Sequence, residues 1–324
     1  MLRIPTILTA DEVLDKAFKK ASKAEHKGPT RLETVRETNI SKIRSASDVI
    51  VSTLGKYVKA FPSIERLSPF YAELIDVTIG KDKLKKSLGA IDWCRGSVAR
   101  VSREAIGSIA KARSIDDIDN FRRAAYGRIS SIVKQIGNEL EFVSNARDKI
   151  RKFPTVDISV PIIVIAGAPN VGKSQLVGRI STGKPRVAVY PFTTQEISVG
   201  VFERKRIRYQ VIDTPGLLDR PLEERNAMEL RAILALKHLA DAIVFVIDPS
   251  ETCGYTLAQQ EHLLSSLKDE FGSTPMVVTE NKVDVLRSDS DRPKLSAVSG
   301  EGVSELVDEV VRNLADSRKL QQCL

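Results

Sequence analysis

The chain has 324 residues, of which 42% are hydrophobic and 28% are charged, and this mixture excludes both a disordered chain and a small disulfide scaffold. Residues 1–155 contain 30 Lys and Arg against 19 Asp and Glu, a balance of +11, and residues 156–324 contain 20 against 23, a balance of −3. The basic half either suits an anionic partner such as nucleic acid or is a basic helical domain without such a partner.

The first half predicts a bundle of five helices. Thr9 and Glu12 have the spacing of a capping box, which predicts a helix start. The fifth helix has the clearest pattern, because apolar residues spaced three or four apart form one stripe from Ile118 to Ile150, with Phe121 in it. Helices of this number and length are typical of an antiparallel bundle. The predicted helices cover residues 13–24 and 32–58, begin at Ser68-Pro69 and after Gly80, and cover residues 118–150.

The fourth predicted helix carries two features of interest. Trp93 and Cys94 are predicted to lie in the core of the bundle. Four lysines near the helix start are either a phosphate-binding cluster or a solvated helix start, and the basic charge of the whole half favours binding. These lysines are Lys81, Lys83, Lys85 and Lys86.

From Pro161 onward, short apolar runs alternate with helical patterns. Continuous apolar strands separated by helices predict a mostly parallel sheet that is covered on both faces. The predicted fold is therefore an all-α helical bundle over residues 1–155, followed by an α/β domain over residues 156–324. The strands are predicted at residues 162–166, 197–202, 209–212, 242–247, 276–279 and, weakly, 294–297.

The sequence Gly-Ala-Pro-Asn-Val-Gly-Lys-Ser at residues 167–174 matches the phosphate-binding loop G-x-x-x-x-G-K-S, and it stands between a predicted strand and a predicted helix, as that motif requires. Backbone N–H groups of such a loop bind phosphate oxygens at a helix N-terminus. Lys173 is expected to neutralise the β- and γ-phosphates, and the Ser174 hydroxyl is expected to ligate Mg²⁺. The expected nucleotide contacts are Gly167, Asn170, Val171, Gly172, Lys173, Ser174 and Gln175.

Three further motifs follow at strand ends, in the order that a GTPase requires. Asp213 of Asp-Thr-Pro-Gly is expected to hold Mg²⁺ through a water, and the Gly216 amide is expected to contact the γ-phosphate. In Asn-Lys-Val-Asp, the Asp284 carboxylate can accept two hydrogen bonds from guanine, which adenine cannot donate. The remaining expected base-binding residues are Asn281, Lys282, Ser296, Ala297 and Val298.

A threonine between these motifs is expected to reach Mg²⁺ when a γ-phosphate is present, which makes its loop a switch. The loop reads Tyr-Pro-Phe-Thr-Thr at residues 190–194, and Thr194 is the expected ligand with Thr193 as the alternative. Lys173, Thr194 and Gly216 are therefore expected to take part in catalysis.

The motifs in both halves resemble those of one family. The phosphate loop, the Tyr-Pro-Phe-Thr-Thr switch and Asp-Thr-Pro-Gly-Leu-Leu resemble the Obg-like GTPases. The segment Leu-Asp-Arg-Pro-Leu-Glu-Glu-Arg-Asn at 218–226, Cys-Gly-Tyr at 253–255 and Tyr-Gly-Arg-Ile-Ser-Ser at 126–131 are similar to the nucleolar G-protein (Nog) family, especially its archaeal members.

This resemblance implies a Ras-like domain that binds GTP and Mg²⁺ and acts in assembly of the large ribosomal subunit, with the helical domain on its rRNA. It also favours Thr194 over Thr193. Two alternatives remain: an RNA-binding scaffold that holds GTP without hydrolysing it, and a GTPase of translation or tRNA metabolism. No DNA partner is expected.

The resemblance also bears on hydrolysis. Leu217 stands where other GTPases have a water-orienting glutamine, so either another group orients the water or turnover is very slow until a partner docks. A low intrinsic rate is expected. In related GTPases without this glutamine, an asparagine at the position of Asn170 helps to hold a potassium ion beside the phosphates. Asn170 therefore either helps to hold such a potassium ion, which makes it an expected catalytic residue, or only hydrogen-bonds the loop or a bridging phosphate oxygen.

The cysteines and apolar runs bear on location. Cys94, Cys253 and Cys323 are odd in number and far apart, which predicts reduced thiols without metal-ligand spacing. The N-terminus lacks the pattern of a secretory signal, and no apolar run is long enough to span a bilayer. A cytoplasmic protein without a membrane partner is expected.

Overall fold

The computed structural model describes residues 4–189 and 196–314. In this part of the chain, helices fill the first half and alternate with a six-stranded sheet in the second, which confirms the predicted fold class. The described chain forms two compact units. The first contains the residues up to Leu67 together with Ile79–Arg151, and the second contains Ser68–Thr78 and the residues from Lys152 on.

The helices of the first half begin at the predicted signals. Thr9 caps the first helix: the Glu12 N–H donates to Thr9 Oγ1 at 3.3 Å, and the Thr9 N–H donates to Glu12 Oε2 at 2.8 Å. The predicted capping box is therefore confirmed. The helices are α1 (Ala10–Ser22), α2 (Arg31–Ala60), α3 (Pro69–Ile79), α4 (Lys81–Lys111), α5 (Ile115–Gln135) and α6 (Gly137–Ile150).

The predicted fifth helix is two helices. Ile136 leaves the helical conformation at φ −96° and ψ 17°, and Gly137, a residue with low helix propensity, begins α6. The apolar stripe nevertheless continues across the break, because Ile129 and Leu140 on either side are both buried. Phe121 is 40% exposed, so the prediction that it lies in this stripe's core is wrong.

The core of the first unit lies along α2, which packs against α1, α4 and α5. Cys94 on α4 is buried as predicted, and burial raises the pKa of its thiol to about 12. Trp93 is 53% exposed, so its predicted core position is wrong. Neighbouring residues of a helix point about 100° apart, and Trp93 therefore faces away from the side that buries Cys94.

Two lysines of the predicted cluster contact other side chains of their unit. Lys85 forms an ion pair with Glu65, which lowers the pKa of that carboxyl to about 2. The Lys83 Nζ lies 4.6 Å from the centre of the Phe142 ring. Both contacts lie within the first unit, and phosphate binding by the four lysines stays a prediction.

The second unit is built on a sheet with strand order β2-β3-β4-β1-β5-β6. The pairs β1–β4, β1–β5 and β5–β6 are parallel, while β3 is antiparallel to both β2 and β4. The strands are β1 (Ile162–Ala166), β2 (Arg186–Val189), β3 (Glu196–Arg204), β4 (Ile207–Asp213), β5 (Ala242–Ile247) and β6 (Met276–Glu280).

Every residue of β1 and of β5 is buried, as expected for central strands covered on both faces. Sequence reasoning missed β2, and the weak strand at 294–297 is reduced to one bridge between Glu280 and Lys294. The helices of this half are α7 (Lys173–Ile180), α8 (Ala227–Lys237), α9 (Leu257–Phe271) and α10 (Val303–Asn313). Among the described residues, no helix is both long enough and apolar enough to cross a membrane.

Helix α3 packs with the second unit although its sequence lies within the helical half. Phe70 and Leu74 are each 1% exposed within the core of the α/β unit. The Tyr71 hydroxyl donates to Pro154 O at 3.0 Å, and Arg231 of α8 binds Glu73 at 3.1 Å. The domain bounds 1–155 and 156–324 stay a prediction. The compact second unit contains most of α3 as well as the residues that follow Arg151.

Candidate functional site

The sheet brings the loops that carry the motifs to one edge. The phosphate-loop sequence follows β1, the Asp-Thr-Pro-Gly sequence begins at the last residue of β4, and Asn281 follows β6. Ile165 of β1 lies beside Asp213 in the parallel pair, so the first two loops leave the sheet side by side. Ligands bind outside the carboxyl ends of strands in sheets of this kind.

Two glycines of the phosphate loop have positions that a larger residue cannot take. Gly167 has φ 139°, and a Cβ there would lie 2.4 Å from Val246 O. Gly172 has φ 99°, and a Cβ there would lie 2.2 Å from Asn281 Nδ2. The loop therefore lies too close to Val246 and Asn281 for side chains at these two positions, and it leads into the N-terminus of α7, the kind of place where backbone N–H groups bind anions.

Lys173 is buried at the first position of α7. Its Nζ donates to Gly167 O at 2.8 Å and to Ala168 O at 2.7 Å, and burial lowers its pKa. The ammonium is thus held across the loop, where it supplies positive charge for a bound anion. Gln175, two residues further on, is exposed.

Ser174 and Asp213 meet at the same point. The Ser174 hydroxyl donates to Asp213 Oδ2, while Asp213 Oδ1 is buried and has no hydrogen-bond partner among the described residues. Burial raises the pKa of Asp213. A hydroxyl and a carboxylate with a free oxygen are the hard oxygen ligands that suit Mg²⁺. Thr194 and its alternative Thr193 lie outside the described residues.

Asn281 holds three loops together. Its Nδ2 donates to Val171 O at 2.8 Å, and its Oδ1 accepts from the Ala297 N–H at 2.9 Å. Asn281 is therefore a brace, because one side chain ties the phosphate loop to the Ser-Ala-Val loop from the end of β6. Its contact with a nucleotide stays a prediction.

Lys282 is held by an acidic residue that sequence reasoning missed. Its Nζ donates to Asp248 Oδ2 at 2.7 Å and to Thr252 Oγ1 at 2.9 Å. Asp248 directly follows β5 and is buried; burial alone raises its pKa, but hydrogen bonds from Lys282 and Ser250 outweigh burial and lower it. Its place at the end of a central strand was the available signal.

The predicted base-binding residues differ in exposure, because Asn281, Ser296 and Ala297 are buried. Asp284 and Val298 are both exposed. Arg179 of α7, another residue that sequence reasoning missed, donates from Nε to Ala297 O at 3.3 Å and from Nη2 to Val298 O. The Ser296 hydroxyl accepts from the Ser299 N–H at 3.1 Å, which shapes the same loop.

The turn after β4 presents Gly216 with a positive φ of 74°. The Gly216 N–H donates to Asp219 Oδ2 at 2.9 Å, a contact that sequence reasoning did not predict. Leu217 is buried and its side chain is apolar, so it offers no group that orients water. Asn170 has φ 60° and is exposed at the tip of the phosphate loop.

The phosphate loop between β1 and α7, the Asp-Thr-Pro-Gly turn after β4 and the braced loops after β6 define a G domain of the P-loop GTPase class. A model of the NOG1 N-terminal helical domain matches residues 2–157, and a model of nucleolar GTP-binding protein 1 (NOG1) matches residues 227–284. The chain belongs to the NOG1 family, which confirms the predicted resemblance.

Three relatives and one solved structure show the extent of this similarity. An uncharacterized protein of Methanocaldococcus jannaschii is 40% identical over 296 residues, covering 90% of this chain and 82% of that protein. Nucleolar GTP-binding protein 1 of Encephalitozoon cuniculi is 35% identical, covering 93% of this chain and 58% of that protein. The chain spans 46% of the Saccharomyces cerevisiae relative of that name. A solved structure from Plasmodium falciparum, of a protein given the same name, is 34% identical with a TM-score of 0.47 and covers 52% of this chain and 96% of that one.

Proposed function

We propose that this protein binds GTP with Mg²⁺, hydrolyses it slowly, and acts as a GTP-dependent switch on the precursor of the large ribosomal subunit. The observation that carries the proposal is the convergence of the phosphate, Mg²⁺ and base loops, which Asn281 braces through Val171 and Ala297. The names of the eukaryotic relatives, nucleolar GTP-binding protein 1, support both the nucleotide and the place of action.

The electrostatics of the loop support binding of a nucleotide with its metal. Lys173 supplies a buried positive charge, and Ser174 with Asp213 would hold Mg²⁺, which neutralises phosphate charge when bound. The burial of Leu217 supports a low intrinsic rate, because a buried leucine side chain has no polar group that can orient water. A partner that docks at this edge of the sheet is then expected to raise the rate.

Guanine selection is assigned to Asp284. Its carboxylate is exposed beside Lys282, which Asp248 holds in place. Two hydrogen bonds from one base edge to a carboxylate discriminate strongly, since the wrong base leaves the carboxylate without donors.

The Asp284→Asn variant tests this assignment. We expect it to weaken GTP binding by at least about 2 kcal/mol, the scale of a charged hydrogen-bond pair, and to reduce the preference for GTP over ATP. Isothermal titration with both nucleotides measures this, and Asp289→Asn is a matched control because Asp289 is an exposed acid in the same loop. Unchanged GTP affinity in Asp284→Asn contradicts the base-reading role.

The RNA part of the proposal rests on charge and on one face of α4. The first 155 residues carry a balance of +11, which favours an anionic partner. Along α4, exposed residues recur every three or four positions and so share a face. They are Lys86, Gly89, Trp93, Gly96, Arg100, Arg103 and Gly107.

Trp93 on this face has open space on both sides along the helix. A Cβ at Gly89 or at Gly96 would meet no described atom within 4 Å, so neither glycine is required by packing within the described chain. An exposed indole flanked by glycines, with arginines on the same face, suits the stacking and phosphate contacts that proteins make to single-stranded RNA segments.

Co-sedimentation with large ribosomal subunits tests the place of action. We expect the GTP-bound protein to sediment with large-subunit precursors, and the GDP-bound protein to do so less. Single-turnover hydrolysis with and without these particles separates a GTPase from a scaffold that only holds GTP. Binding that ignores the nucleotide, with no hydrolysis in either case, favours the scaffold. Equal binding to small subunits favours a role elsewhere in translation.

A further inference from the structure

An acidic and a basic side chain hold the backbone of Gly216, one at its N–H and the other at its carbonyl. The Gly216 N–H donates to Asp219 Oδ2 at 2.9 Å, and Arg225 Nη1 donates to the Gly216 carbonyl at 2.6 Å. Arg225 Nη2 in turn donates to Asp219 Oδ1 at 3.0 Å. Asp219 and Arg225 thus form a clamp, the Asp219–Arg225 clamp, around the residue whose amide is expected to contact the γ-phosphate.

Arg225 is the buried member of the clamp, and it has unused hydrogen-bonding capacity. The Arg225 side chain is 0% exposed, and its burial lowers the pKa of the guanidinium. Its Nε is buried and has no hydrogen-bond partner among the described residues. Nε and Nη2 lie on the same side of a guanidinium and can bind both oxygens of one carboxylate in parallel. Arg225 can therefore bind the Asp219 carboxylate in a second arrangement, through Nε and Nη2 together.

We propose that Asp219 is a specificity-determining residue that discriminates GTP from GDP by competing with the γ-phosphate for the Gly216 N–H. This inference rests on the proposed function, in which that N–H contacts the γ-phosphate. The Asp219 carboxylate is an anionic oxygen acceptor, as a γ-phosphate oxygen is, and the single N–H favours one of them at a time. GDP has no γ-phosphate and leaves the observed contact in place.

The unpartnered Nε gives the displaced oxygen a destination. When a γ-phosphate takes the Gly216 N–H, Asp219 Oδ2 moves to Arg225 Nε while Oδ1 stays on Nη2. The ion pair is then kept in both arrangements, and the number of hydrogen bonds to the carboxylate does not fall. The Asp219–Arg225 clamp is therefore an element with two positions, and the γ-phosphate selects one of them.

Three variants of the full chain test this inference through the ratio of two dissociation constants, for GDP and for the non-hydrolysable analogue GMPPNP. Asp219→Ala removes the competitor, and we expect GMPPNP affinity to rise relative to GDP by about tenfold, the effect of one charge-assisted hydrogen bond. Asp219→Asn keeps a neutral acceptor, so its shift has the same sign and is smaller. Arg225→Lys keeps the charge but lacks the paired Nε and Nη2, so its ratio shifts toward GDP.

Arg220→Ala is the matched control. Arg220 lies beside Asp219 in sequence, but its side chain is half exposed and pairs with Glu229 at 2.9 Å, so its ratio is expected to equal that of the parent chain. Thermal melting and GDP affinity identify any variant that fails to fold, and the opposite shifts of the Asp219 and Arg225 variants cannot arise from general loosening.

Two outcomes are kept apart by this design. If the parent chain binds GDP and GMPPNP but the Asp219 variants leave the ratio unchanged or shift it toward GDP, the inference is wrong and the proposed function stands. If the parent chain binds neither nucleotide, the proposed function fails and the inference fails with it.

Discussion

Asp248 positions Lys282 without being part of any motif that the sequence displays. Its buried carboxylate accepts from Lys282 Nζ at 2.7 Å and from the Cys253 N–H at 2.9 Å. Because this network lies on the base side of the site, it is expected to affect GDP and GTP alike. In this it differs from the Asp219–Arg225 clamp, which is expected to affect only the triphosphate.

We therefore predict that Asp248→Asn weakens GDP and GMPPNP binding to the same degree, by about 1–2 kcal/mol each, through loss of a charged hydrogen bond. Titration calorimetry with both nucleotides measures this. Asp269→Asn, a change at an exposed acid of α9, serves as control. A loss confined to one nucleotide would show that Asp248 acts on the phosphate side instead.

Asn170 carries the prediction on potassium. Its exposed amide at the tip of the phosphate loop is a neutral oxygen donor that suits an alkali cation. We expect hydrolysis in potassium chloride to be about tenfold faster than in sodium chloride, equivalent to about 1.4 kcal/mol of barrier, and Asn170→Ala to abolish the difference. Phosphate release at fixed ionic strength measures both rates. Equal rates in the two salts would contradict the role of potassium and indicate that a partner replaces the missing glutamine.

Among single residues, those whose role follows from spacing along the chain could be predicted from the sequence. Gly167 and Gly172 belong to a contiguous motif, and their positive φ angles follow from the loop that it forms. Asp248 and Arg179 escaped prediction because their partners, Lys282 and Val298, lie 34 and 119 residues away. Contacts at such separations depend on the folded sheet and are not encoded in any local pattern.

Among the elements, α4 makes the sharpest prediction. Gly96→Ala is expected to stabilise the helix by about 1 kcal/mol, because alanine has the higher helix propensity and a Cβ there meets no described atom within 4 Å. The added methyl group of Gly96→Ala also fills part of the open space beside the Trp93 indole, and it is therefore expected to weaken RNA binding. Stability and affinity would then move in opposite directions.

Trp93→Ala gives the matching measurement on the same face. We expect it to weaken binding to large-subunit rRNA by about 1–3 kcal/mol, the scale of one base stacked on an aromatic ring. Phe121→Ala on α5 is the control, since Phe121 is also an exposed aromatic of the helical half. Filter binding at several salt concentrations measures both. An equal loss of affinity in the two variants would mean that RNA binding depends on exposed aromatic surface in general and that the face on α4 is not a specific binding site.

Helices were predicted better than strands, for physical reasons. A long amphipathic stripe repeats its signal many times, as from Ile118 to Ile150, but a break such as that at Ile136 leaves the spacing of the stripe nearly unchanged. The strand β2 (Arg186–Val189) has four residues and lies at the edge of the sheet, so it lacks the continuous apolar run of a central strand.

For the whole molecule, α3 decides how the chain can be divided. Phe70 and Leu74 are buried in the core of the α/β unit, so a fragment of residues 156–324 lacks two of that unit's own core side chains. We predict that Phe70→Ala in the full chain costs about 3–5 kcal/mol of unfolding free energy. Denaturant unfolding measures this cost, and the fragment 156–324 is expected to be less stable than a fragment that retains α3.

The surface near α3 provides the control for that prediction. Glu73→Gln changes the ion pair with Arg231 without removing apolar area, and is expected to cost less than about 1 kcal/mol. If Phe70→Ala costs no more than Glu73→Gln, then α3 is not part of the core of the second unit.

The position of α3 also has a consequence for the order in which the protein matures on the ribosome. The chain enters the second unit at Ser68, leaves it after Thr78 and returns at Lys152, so one helix is made long before the sheet that buries it. During synthesis, the apolar side chains of Phe70 and Leu74 therefore stay exposed until β1 and the later strands have left the ribosome. Nascent chains of this protein should accordingly recruit chaperones at this segment, and release them only when the α/β unit is complete.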